Sequence, residues 1–500
     1  MYNLVWKAAA LLGALFFHIL VAGGDLVLSR ADAVQNSAEI TQGHFDRELR
    51  REVSKDASIH LSHSPQFGNL TDRWSDFSRG DIAVVVEPAT TRDVAATIQF
   101  ANRCGLPFLA VSGGHGSTSA LNTIRRGLSI NLHKMKTNQI SANGDSARLG
   151  GGVNTHEVIN ALAVHGKVTA TTNGGCTSQL GPALGGGFGR YMGFFGLILD
   201  NIIDMTVVLA NGTIAEVSST SNPDLYWAMK GAGQNFGIVT EANFKIYDFP
   251  TPHWFSSEFT FAGPQLETLF KHIGDMYQPK ELGSVYTTFV INPQYSTTEP
   301  MVVLHLDYAG TPDEARPWFD YFNDLHPVAT RKWETLSPTE VQPAAGQDID
   351  SGVCAHGHTW RLFPLGLKKY NVTANRQVYD LLKQLVSEHP DFNSTVGQFE
   401  NYAQQGVKAV DPASTAYAHR DDGILVSFSP VYPASAANDA IATEYGHKAR
   451  ALWHAGDTPG RNVTAYVNYA NGDESLEAVY GYESWRLERL RALKKRVRRI

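Results

Sequence analysis

The hydrophobic positions of this chain form short apolar runs separated by stretches with helical spacing, which predicts a mixture of strands and helices. Residues 82–86 are all apolar and predict a buried strand that ends before Pro88. A helix capped by Thr91 is expected next, because apolar residues then recur every three or four positions until Gly105. Further strands are predicted at residues 108–111, 127–132, 148–152 and, as a hairpin turning at Asn211-Gly212, 205–217.

After residue 250 the pattern changes to longer alternating strands with fewer glycines, which predicts a second domain. The sequence Phe-Pro-Thr-Pro at 249–252 is typical of a domain boundary. Strands are predicted near residues 254–261, 285–291 and 301–308, and helices near 312–325 and 375–388. From about residue 443 we expect a helix, a strand at 462–469 and a charged terminal helix that return to the first domain. The predicted organisation is a signal peptide at 1–24, an extension at 25–75, a first domain at 76–250, a second at 251–442 and a terminal segment at 443–500.

The amino terminus has the three-part layout of a secretory signal peptide. Lys7 precedes the apolar run 8–22, and Gly23 and Gly24 supply small residues for cleavage. The run is shorter than the roughly 20 residues of a membrane span, so we expect a secreted protein without a stable membrane span, with a signal anchor as the alternative. N-glycosylation sequons at five sites favour the secretory route: Asn69, Asn211, Asn371, Asn393 and Asn462.

Charge and cysteine content exclude several classes of protein. The net charge of −7 combines a basic end with an acidic body, because residues 485–500 hold eight Lys or Arg and one Glu, which leaves −14 for the rest. An acidic body argues against a nucleic-acid partner, and the basic end is interpreted as a solvated helix end. Three cysteines allow at most one disulfide with one thiol left over. His356 and His358 near Cys354 form too weak a pattern for a metal site, so no metal is assigned, and we expect a monomer.

Three glycine-rich stretches, at 112–117, 181–189 and 231–237, can bring backbone N–H groups close to an anionic ligand. None is followed by Lys-Ser or Lys-Thr, so a nucleotide triphosphatase loop is excluded. The third stretch partly matches a dinucleotide fingerprint, but its last glycine is one position late and a helix-like segment precedes it, which favours a tight turn. The pattern predicts a phosphate-bearing cofactor. His115 is a candidate functional residue because it lies between two glycines, where an imidazole has little to pack against.

Four motifs give the chain a resemblance to a known family. Ser-Gly-Gly-His-Gly at 112–116, Gly-Pro-Ala-Leu-Gly-Gly-Gly-Phe-Gly at 181–189, Leu-Asp-Asn at 199–201 and Asn-Pro-Asp-Leu-Tyr-Trp-Ala-Met-Lys-Gly at 222–231 resemble the berberine-bridge-enzyme-like FAD-linked oxidases. The resemblance covers about residues 80–247, and Tyr-Val-Asn-Tyr at 466–469 with Tyr480-Gly481 resembles the family's carboxy-terminal segment. It implies an α+β fold of the vanillyl-alcohol-oxidase type: a two-part PCMH-type FAD-binding domain plus a substrate domain with a large antiparallel sheet covered by helices.

The resemblance also implies FAD bonded covalently to His115. The residues that it assigns to the cofactor are Ser112, Gly113, Gly114, His115, Gly116, Ser117, Gly181, Gly185, Gly186, Gly187, Asp200, Gly237, Ile238 and Val239. Many relatives carry a second tether, a cysteine eleven residues before the Gly-Gly-Gly run. That position is Gly174 here and Cys176 lies two residues later, so Cys176 is interpreted as a buried thiol, with a second flavin link as the alternative.

Tyr466 and Tyr469 are the catalytic candidates, because the family places acid–base residues on the segment that they occupy. A phenol with a pKa of about 10 is a poor base at neutral pH, so we expect a cation or hydrogen bonds to lower the pKa of one of them. Tyr417, His419 and Arg420 resemble a family stretch close to the substrate cavity. The basic ending of the chain departs from the family's Asp-Pro pair and terminal aromatic, which leaves the packing of the last helix open.

The sequence thus predicts an FAD-dependent oxidoreductase that transfers hydride from a small organic substrate to a His-linked flavin, which O2 reoxidises to give H2O2. The preferred substrate is an intermediate of specialised metabolism that undergoes dehydrogenation or oxidative cyclisation. A secreted carbohydrate or alcohol oxidase is the alternative. A non-catalytic flavin-containing binding protein is a further alternative from another class.

Overall fold

The structure, a computed structural model, describes residues 45–497. The predicted signal peptide, residues 25–44 of the following extension and the last three residues of the basic end lie outside the described residues. Within the described range, no helix is both long and apolar enough to cross a bilayer. The predicted α+β fold is confirmed, and three main sheets organise it.

The first sheet has four strands in the order β1-β2-β4-β3. They are β1 (Ser58–Leu61), β2 (Ile82–Glu87), β3 (Phe108–Val111) and β4 (Gly127–Asn131). β2, β4 and β3 run parallel, and helix α1 (Thr91–Arg103) covers them. The predicted cap Thr91 is wrong by one residue: the Thr90 hydroxyl accepts the N–H of Asp93, and the Asp93 side chain accepts the N–H of Thr90 in return.

The second sheet has five antiparallel strands in the order β5-β6-β10-β8-β9. The predicted hairpin of β8 and β9 is confirmed, with Gly212 at a φ of +86° in its turn. A short ribbon of β7 and β11 lies beside the sheet. The strands are β5 (Asn138–Ile140), β6 (Ser146–Gly150), β7 (Lys167–Val168), β8 (Ile202–Leu209), β9 (Ile214–Ser218), β10 (Gly237–Lys245) and β11 (Tyr247–Asp248). Helices α2 (Thr155–Ala163) and α3 (Pro223–Ala232) belong to this unit.

The third sheet has seven antiparallel strands in the order β15-β12-β14-β13-β18-β19-β17. The strands are β12 (Trp254–Phe261), β13 (Leu282–Val290), β14 (Met301–Ala309), β15 (Ala329–Leu336), β17 (Phe363–Leu367), β18 (Val396–Asn401) and β19 (Ile424–Ser429), and β16 (Thr359–Trp360) pairs separately with β20 (Val431–Tyr432). Four helices pack with it: α4 (Leu266–Asp275), α5 (Pro312–Asn323), α6 (Val372–Glu388) and α7 (Ala436–Gly456). Because side chains alternate along a strand, Phe399 packs in this helix-covered core while Glu400 points to the opposite face.

Two predictions about the terminal segment are wrong. The boundary at residue 443 falls inside α7, whose Tyr445 and Trp453 pack in the core of the third sheet, so the chain returns to the first unit only after this helix. Residues 462–469 form no strand: they are irregular and end in a turn in which the Tyr469 N–H donates to the Tyr466 carbonyl at 2.9 Å. The polar side chains of this segment bond to the glycine-rich stretch instead of supporting a ladder.

The last helix, α8 (Ser484–Val497), is packed against the first unit and is not a solvated end over its described length. Leu487, Leu490 and Leu493 are buried in the core around the second sheet. Arg489 and Arg496 both pair with Asp224 of α3. Arg486 is also buried and donates to the Thr415 and Pro412 carbonyls, whereas Arg491, Lys495 and Arg496 lie on the exposed side of this docked helix. Shorter helices occur at Arg50–Glu52, Phe67–Thr71, Leu180–Ala183, Met192–Phe195, Val341–Ala344, Gln405–Lys408 and Leu476–Tyr480.

Candidate active site

The first glycine-rich loop leaves β3 and presents a row of backbone N–H groups. Among the described residues, no protein group accepts a hydrogen bond from the N–H groups of residues 113–117. Gly114 has a φ of +71°, which L side chains rarely adopt, and Ser112 Oγ anchors the loop by donating to the Gly151 carbonyl at 2.5 Å. Successive N–H groups without a protein acceptor form an anion-binding concavity. The loop therefore fits the pyrophosphate of a dinucleotide.

Arg73 places a positive charge beside this loop, and the sequence analysis missed it. Its side chain is 6% exposed, and its Nη2 donates to the Gly116 carbonyl at 2.7 Å. Its Nε has no hydrogen-bond partner within residues 45–497, and no carboxylate of that range pairs with it. Burial lowers the pKa of Arg73 to about 10, so the guanidinium stays charged at neutral pH. A buried cation without a carboxylate partner supplies the charge that a pyrophosphate requires.

His115 is held in one orientation inside the loop. Its ring stacks on Trp74 with a centroid distance of 5.5 Å, and its Nδ1 lies 2.9 Å from the Gly113 carbonyl, which can only accept. Burial lowers the pKa of His115 to about 4, so the imidazole is neutral at physiological pH. Nδ1 then carries the proton and Nε2 has the free lone pair. A neutral imidazole with one unprotonated nitrogen has the nucleophilic character that a histidyl–flavin bond needs.

Cys176 forms a disulfide with Cys354, which contradicts its interpretation as a thiol. The sulfur of Cys176 also lies 3.3 Å from His115 Nε2. The bridge forms because the segment around Cys354 crosses over the first domain, where the Gly175 N–H donates to the Gln347 carbonyl at 2.8 Å. With its sulfur in the bridge, Cys176 has no thiol to offer as a second flavin link. The third cysteine, Cys104, is not part of this bridge.

The second glycine-rich stretch lets Tyr466 approach its backbone closely. The Tyr466 hydroxyl accepts from the Gly187 N–H at 2.9 Å and from Asn468 Nδ2 at 2.6 Å. A Cβ on Gly186 would meet the Tyr466 ring at 3.0 Å, and Phe188 stacks on that ring at 4.4 Å. Burial raises the pKa of Tyr466 and, together with Glu400, that of Tyr469. The expected lowering of a tyrosine pKa is therefore wrong, because no cation within residues 45–497 reaches either hydroxyl and burial outweighs the donated hydrogen bonds.

Glu400 on β18 is the acidic residue of the site, and the sequence analysis missed it. The Tyr469 hydroxyl donates to its Oε1 at 2.7 Å and the Tyr402 hydroxyl to its Oε2 at 2.7 Å. Gln398 Nε2 also donates to Oε1, at 3.1 Å. The residue is 6% exposed, and burial raises the pKa of its carboxyl despite these three donors. The one available signal was an acid close to Phe399 and Tyr402, which alone does not distinguish a buried base from a surface carboxylate.

A cavity of about 20 Å³, room for one water molecule, lies between Glu400 and the rings of Tyr417 and Tyr466. Of the three residues predicted near the substrate cavity, Tyr417 and His419 line it and Arg420 does not. Its lining residues are Phe188, Gly366, Glu400, Tyr402, Gln404, Tyr417, His419, Asp422, Gly423, Ile424, Leu425 and Tyr466.

The structure brings most of the predicted cofactor residues into one connected region. Gly151, which accepts from Ser112, donates its N–H to the Thr240 carbonyl of β10, the strand that carries Gly237, Ile238 and Val239. A Cβ on Gly185 would collide with the Asn468 side chain, and one on Gly181 with Ser178 Oγ.

The Asp200 carboxylate is paired with Arg420. It accepts from Arg420 Nη1 at 2.9 Å and Nη2 at 2.7 Å, and from the Leu197 N–H at 2.9 Å. Its role in cofactor binding stays a prediction. In the described residues, no group of three or more His, Cys, Asp or Glu side chains could hold a metal ion.

Comparison with known proteins identifies an FAD binding domain and FAD-linked oxidoreductases as relatives. Residues 82–218 match the FAD binding domain family. The FAD-linked oxidoreductase anuG of Penicillium roqueforti is 38% identical over 465 residues, which covers 92% of this chain and 91% of that protein. In fold, the chain is similar to the BBE-like 1 protein of Physcomitrella patens, with a TM-score of 0.74, 22% identity and coverage of 90% and 95%. It is also similar to the glucooligosaccharide oxidase of Acremonium strictum, whose FAD is a 6-S-cysteinyl, 8α-N1-histidyl adduct, with a TM-score of 0.73, 20% identity and coverage of 88% and 94%.

Proposed function

This chain belongs to the FAD-linked oxidoreductases of the berberine-bridge-enzyme-like family, and we propose that it is a secreted oxidase that dehydrogenates or oxidatively cyclises a small organic substrate of specialised metabolism. The observation that carries the proposal is the presence of both an anion cradle at residues 113–117 and a buried carboxylate, Glu400, that tyrosine hydroxyls hold beside a cavity lined by Phe188 of the second glycine-rich stretch. When bound, FAD accepts the hydride of the substrate C–H bond and passes the electrons to O2, which gives H2O2.

The residues 112–117 and Arg73 hold the pyrophosphate in this proposal, and His115 supplies the covalent attachment. The N–H groups of the loop donate to phosphate oxygens, and the Arg73 guanidinium balances their charge. The neutral His115 ring would hold the flavin through an unprotonated nitrogen, which its lowered pKa keeps available. We propose a single tether, because the disulfide with Cys354 occupies the Cys176 sulfur.

Glu400 is the proton acceptor and Tyr469 the group that contacts the substrate. The Tyr469 side chain is half-buried, and its hydroxyl already donates to Glu400 Oε1 at 2.7 Å. Tyr469 accepts the proton of the substrate hydroxyl or amine as it passes its own proton to Glu400. The substrate loses one hydride and one proton, and no phenolate has to persist. A carboxyl whose pKa lies above its usual range is a better base near neutral pH than an ordinary glutamate.

Tyr466 orients the site rather than removing the proton. Its hydroxyl accepts two hydrogen bonds, from Gly187 and Asn468, and its ring is stacked on Phe188. These contacts fix the glycine stretch against the cavity. Tyr466→Phe therefore retains more activity than Tyr469→Phe.

Export is part of the proposal because a disulfide forms and persists in oxidising compartments. None of the five sequon asparagines is buried, so each is compatible with glycosylation.

The test starts from the full chain expressed in a secreting eukaryotic host. Acid precipitation should leave the protein yellow, and the tryptic peptide that contains His115 should carry the added mass of FAD. His115→Ala should release the flavin on precipitation. Incubation with panels of aromatic and aliphatic alcohols, amines and oligosaccharides should give H2O2 with at least one of them. Colourless protein, or flavoprotein that none of these compounds bleaches without air, would favour a binding protein over an oxidase.

A further inference from the structure

A chain of hydrogen bonds joins Glu400 to a buried ion pair between Arg190 of the first domain and Asp307 of the third sheet. Arg190 Nε donates to Asp307 Oδ2 at 2.6 Å, and both side chains are almost fully buried. Asn173 lies next to Arg190, and Tyr402 lies between Asn173 and Glu400. Three of these residues come from different elements: Asn173 from the loop before the disulfide, Arg190 from the end of the glycine stretch and Asp307 from β14.

The ion pair fixes Arg190 firmly. Asp307 also accepts from Ser256 Oγ at 2.7 Å and Ser284 Oγ at 2.8 Å. Arg190 Nη2 donates to Gln347 Oε1 at 2.5 Å. With its guanidinium held on two sides, Arg190 can point its remaining N–H groups in only one direction.

That direction determines how the Asn173 amide is turned. Asn173 Oδ1 accepts from the Arg190 backbone N–H at 3.2 Å and from Nη1 at 3.3 Å. Since Arg190 has donors and no acceptor, the amide oxygen must face it. Asn173 Nδ2 then faces the Tyr402 hydroxyl, to which it donates at 2.8 Å.

The turned amide in turn determines where the Tyr402 proton lies. The hydroxyl oxygen accepts from Asn173, so its own hydrogen is available for Glu400 Oε2, 2.7 Å away. Every bond in the series Arg190, Asn173, Tyr402, Glu400 donates in the same sense. A series with one sense strengthens its last donor, because each accepted hydrogen bond makes the next hydroxyl proton more positive.

We propose that Asn173 is a positioning residue. It keeps the Tyr402 hydroxyl donating its hydrogen bond to Glu400 Oε2, so that Oε1 stays available to receive a proton through Tyr469. The proposal rests on the proposed function in its use of Oε1, but the placement of the Tyr402 proton is independent of any substrate. Without Asn173, the Tyr402 hydroxyl has no donor to orient it and stabilises the carboxylate less well.

Several groups face Glu400, and of these only Tyr402 is altered in the test. The titratable and polar groups around it, from the elements packed against β18 and from the cavity, are Tyr286, Gln398, Tyr402, Tyr466, Tyr469, His419 and Asp422. Tyr286 and the other tyrosines are neutral at working pH because burial raises their pKa values.

The experiment is an infrared difference titration of the purified holoprotein, which needs no substrate. The protonated carboxyl band that Glu400→Gln removes identifies Glu400, and its midpoint gives the pKa. Tyr402→Phe should move the midpoint up by about one pH unit, since a donor to the charged form is lost. Asn173→Leu should move it up by about half a unit.

The decisive comparison is the double variant. Asn173→Leu combined with Tyr402→Phe should titrate like Tyr402→Phe alone, because Asn173 acts only through Tyr402. Gln342→Met is the matched control: its Nε2 donates to the Asn173 carbonyl at 2.7 Å and not to the side chain, so the midpoint should not move. If Asn173→Leu gives no soluble flavoprotein, Asn173→Ala removes the same donor with a smaller uncharged side chain and should move the midpoint in the same direction.

An unmoved midpoint in the Asn173 variants, or additive shifts in the double variant, would overturn the inference. Failure of the proposed function is a separate outcome: Glu400→Gln would then be reduced by substrate at the wild-type rate, while the infrared shifts could still be present.

Discussion

One buried charge lies at the first glycine-rich loop and another on the third sheet, and each lacks an ionic partner among the described residues. Arg73 is a cation held by the Gly116 carbonyl, whereas Glu400 is an acid held by tyrosine hydroxyls and an amide. Asp200 and Arg420, by contrast, are both buried and pair with each other. An unpaired buried charge costs several kcal/mol, so a protein retains one where a ligand or a reaction compensates it. The unpaired cation fits an anionic cofactor, and the unpaired acid fits a transferred proton.

The largest effect is expected from removing the acid Glu400. Glu400→Gln removes the proton acceptor and should slow anaerobic flavin reduction about 10²- to 10⁴-fold, with the flavin still bound. Stopped-flow measurement with the substrate found by the H2O2 screen checks this. Glu258→Gln is the matched control, because Glu258 lies on the same sheet but is paired with Arg331 and His305. Equal losses in both variants would remove Glu400 from the reaction.

The next effect concerns the disulfide between Cys176 and Cys354. Cys176 touches His115, and Asn173 three residues earlier touches Tyr402, so the disulfide with Cys354 holds the segment that they share. Cys354→Ser frees a loop closed over 178 residues and should lower the free energy of unfolding by about 2–4 kcal/mol. Denaturant titration measures it, with Cys104→Ser as the control outside the bridge. A stability equal to that of the control variant would mean that the bridge does not form in solution.

A smaller effect is expected from removing the buried cation Arg73. In a His115→Ala background, where the flavin is not trapped covalently, Arg73→Met should raise the Kd for FAD by about 10- to 100-fold, since a hydrogen bond to a charged group is lost. Fluorescence titration of the apoprotein measures the Kd. Arg79→Met is the matched control, because Arg79 is exposed and pairs with Asp72 and Asp76. An unchanged Kd in the Arg73 variant would place the pyrophosphate elsewhere.

The smallest predicted effect is the pH dependence of the rate of flavin reduction. Glu400 accepts a proton only as the carboxylate, so the rate of flavin reduction should rise with pH through the pKa of Glu400. Burial raises that pKa, so the ascending limb should lie above the range of an ordinary glutamate, whose pKa is about 4.3. The limb should be absent in Glu400→Gln. A pH-independent rate in the wild-type protein would contradict the assignment.

The sequence predicted local secondary structure better than buried charges and contacts between distant segments. Strands at 108–111 and 254–261 and the hairpin at Gly212 were predicted correctly because each depends on local apolar patterning or turn chemistry. The strand at 462–469 was wrong, because its alternating residues bond to a glycine stretch almost 280 positions earlier in the chain. Arg73 and Glu400 were missed, because nothing in a linear sequence shows that a charge is buried without a partner.

The sequence by itself determined the family, the FAD-binding motifs and the position of His115, since glycine spacing and short motifs are local properties of the chain. Only the tertiary structure decided that Cys176 is bonded to Cys354, that the tyrosine pKa values rise rather than fall, and that a carboxylate from the third sheet faces Tyr469. These facts depend on burial and on contacts between segments far apart in sequence. Desolvation and the direction of hydrogen bonds have no counterpart in the order of the residues.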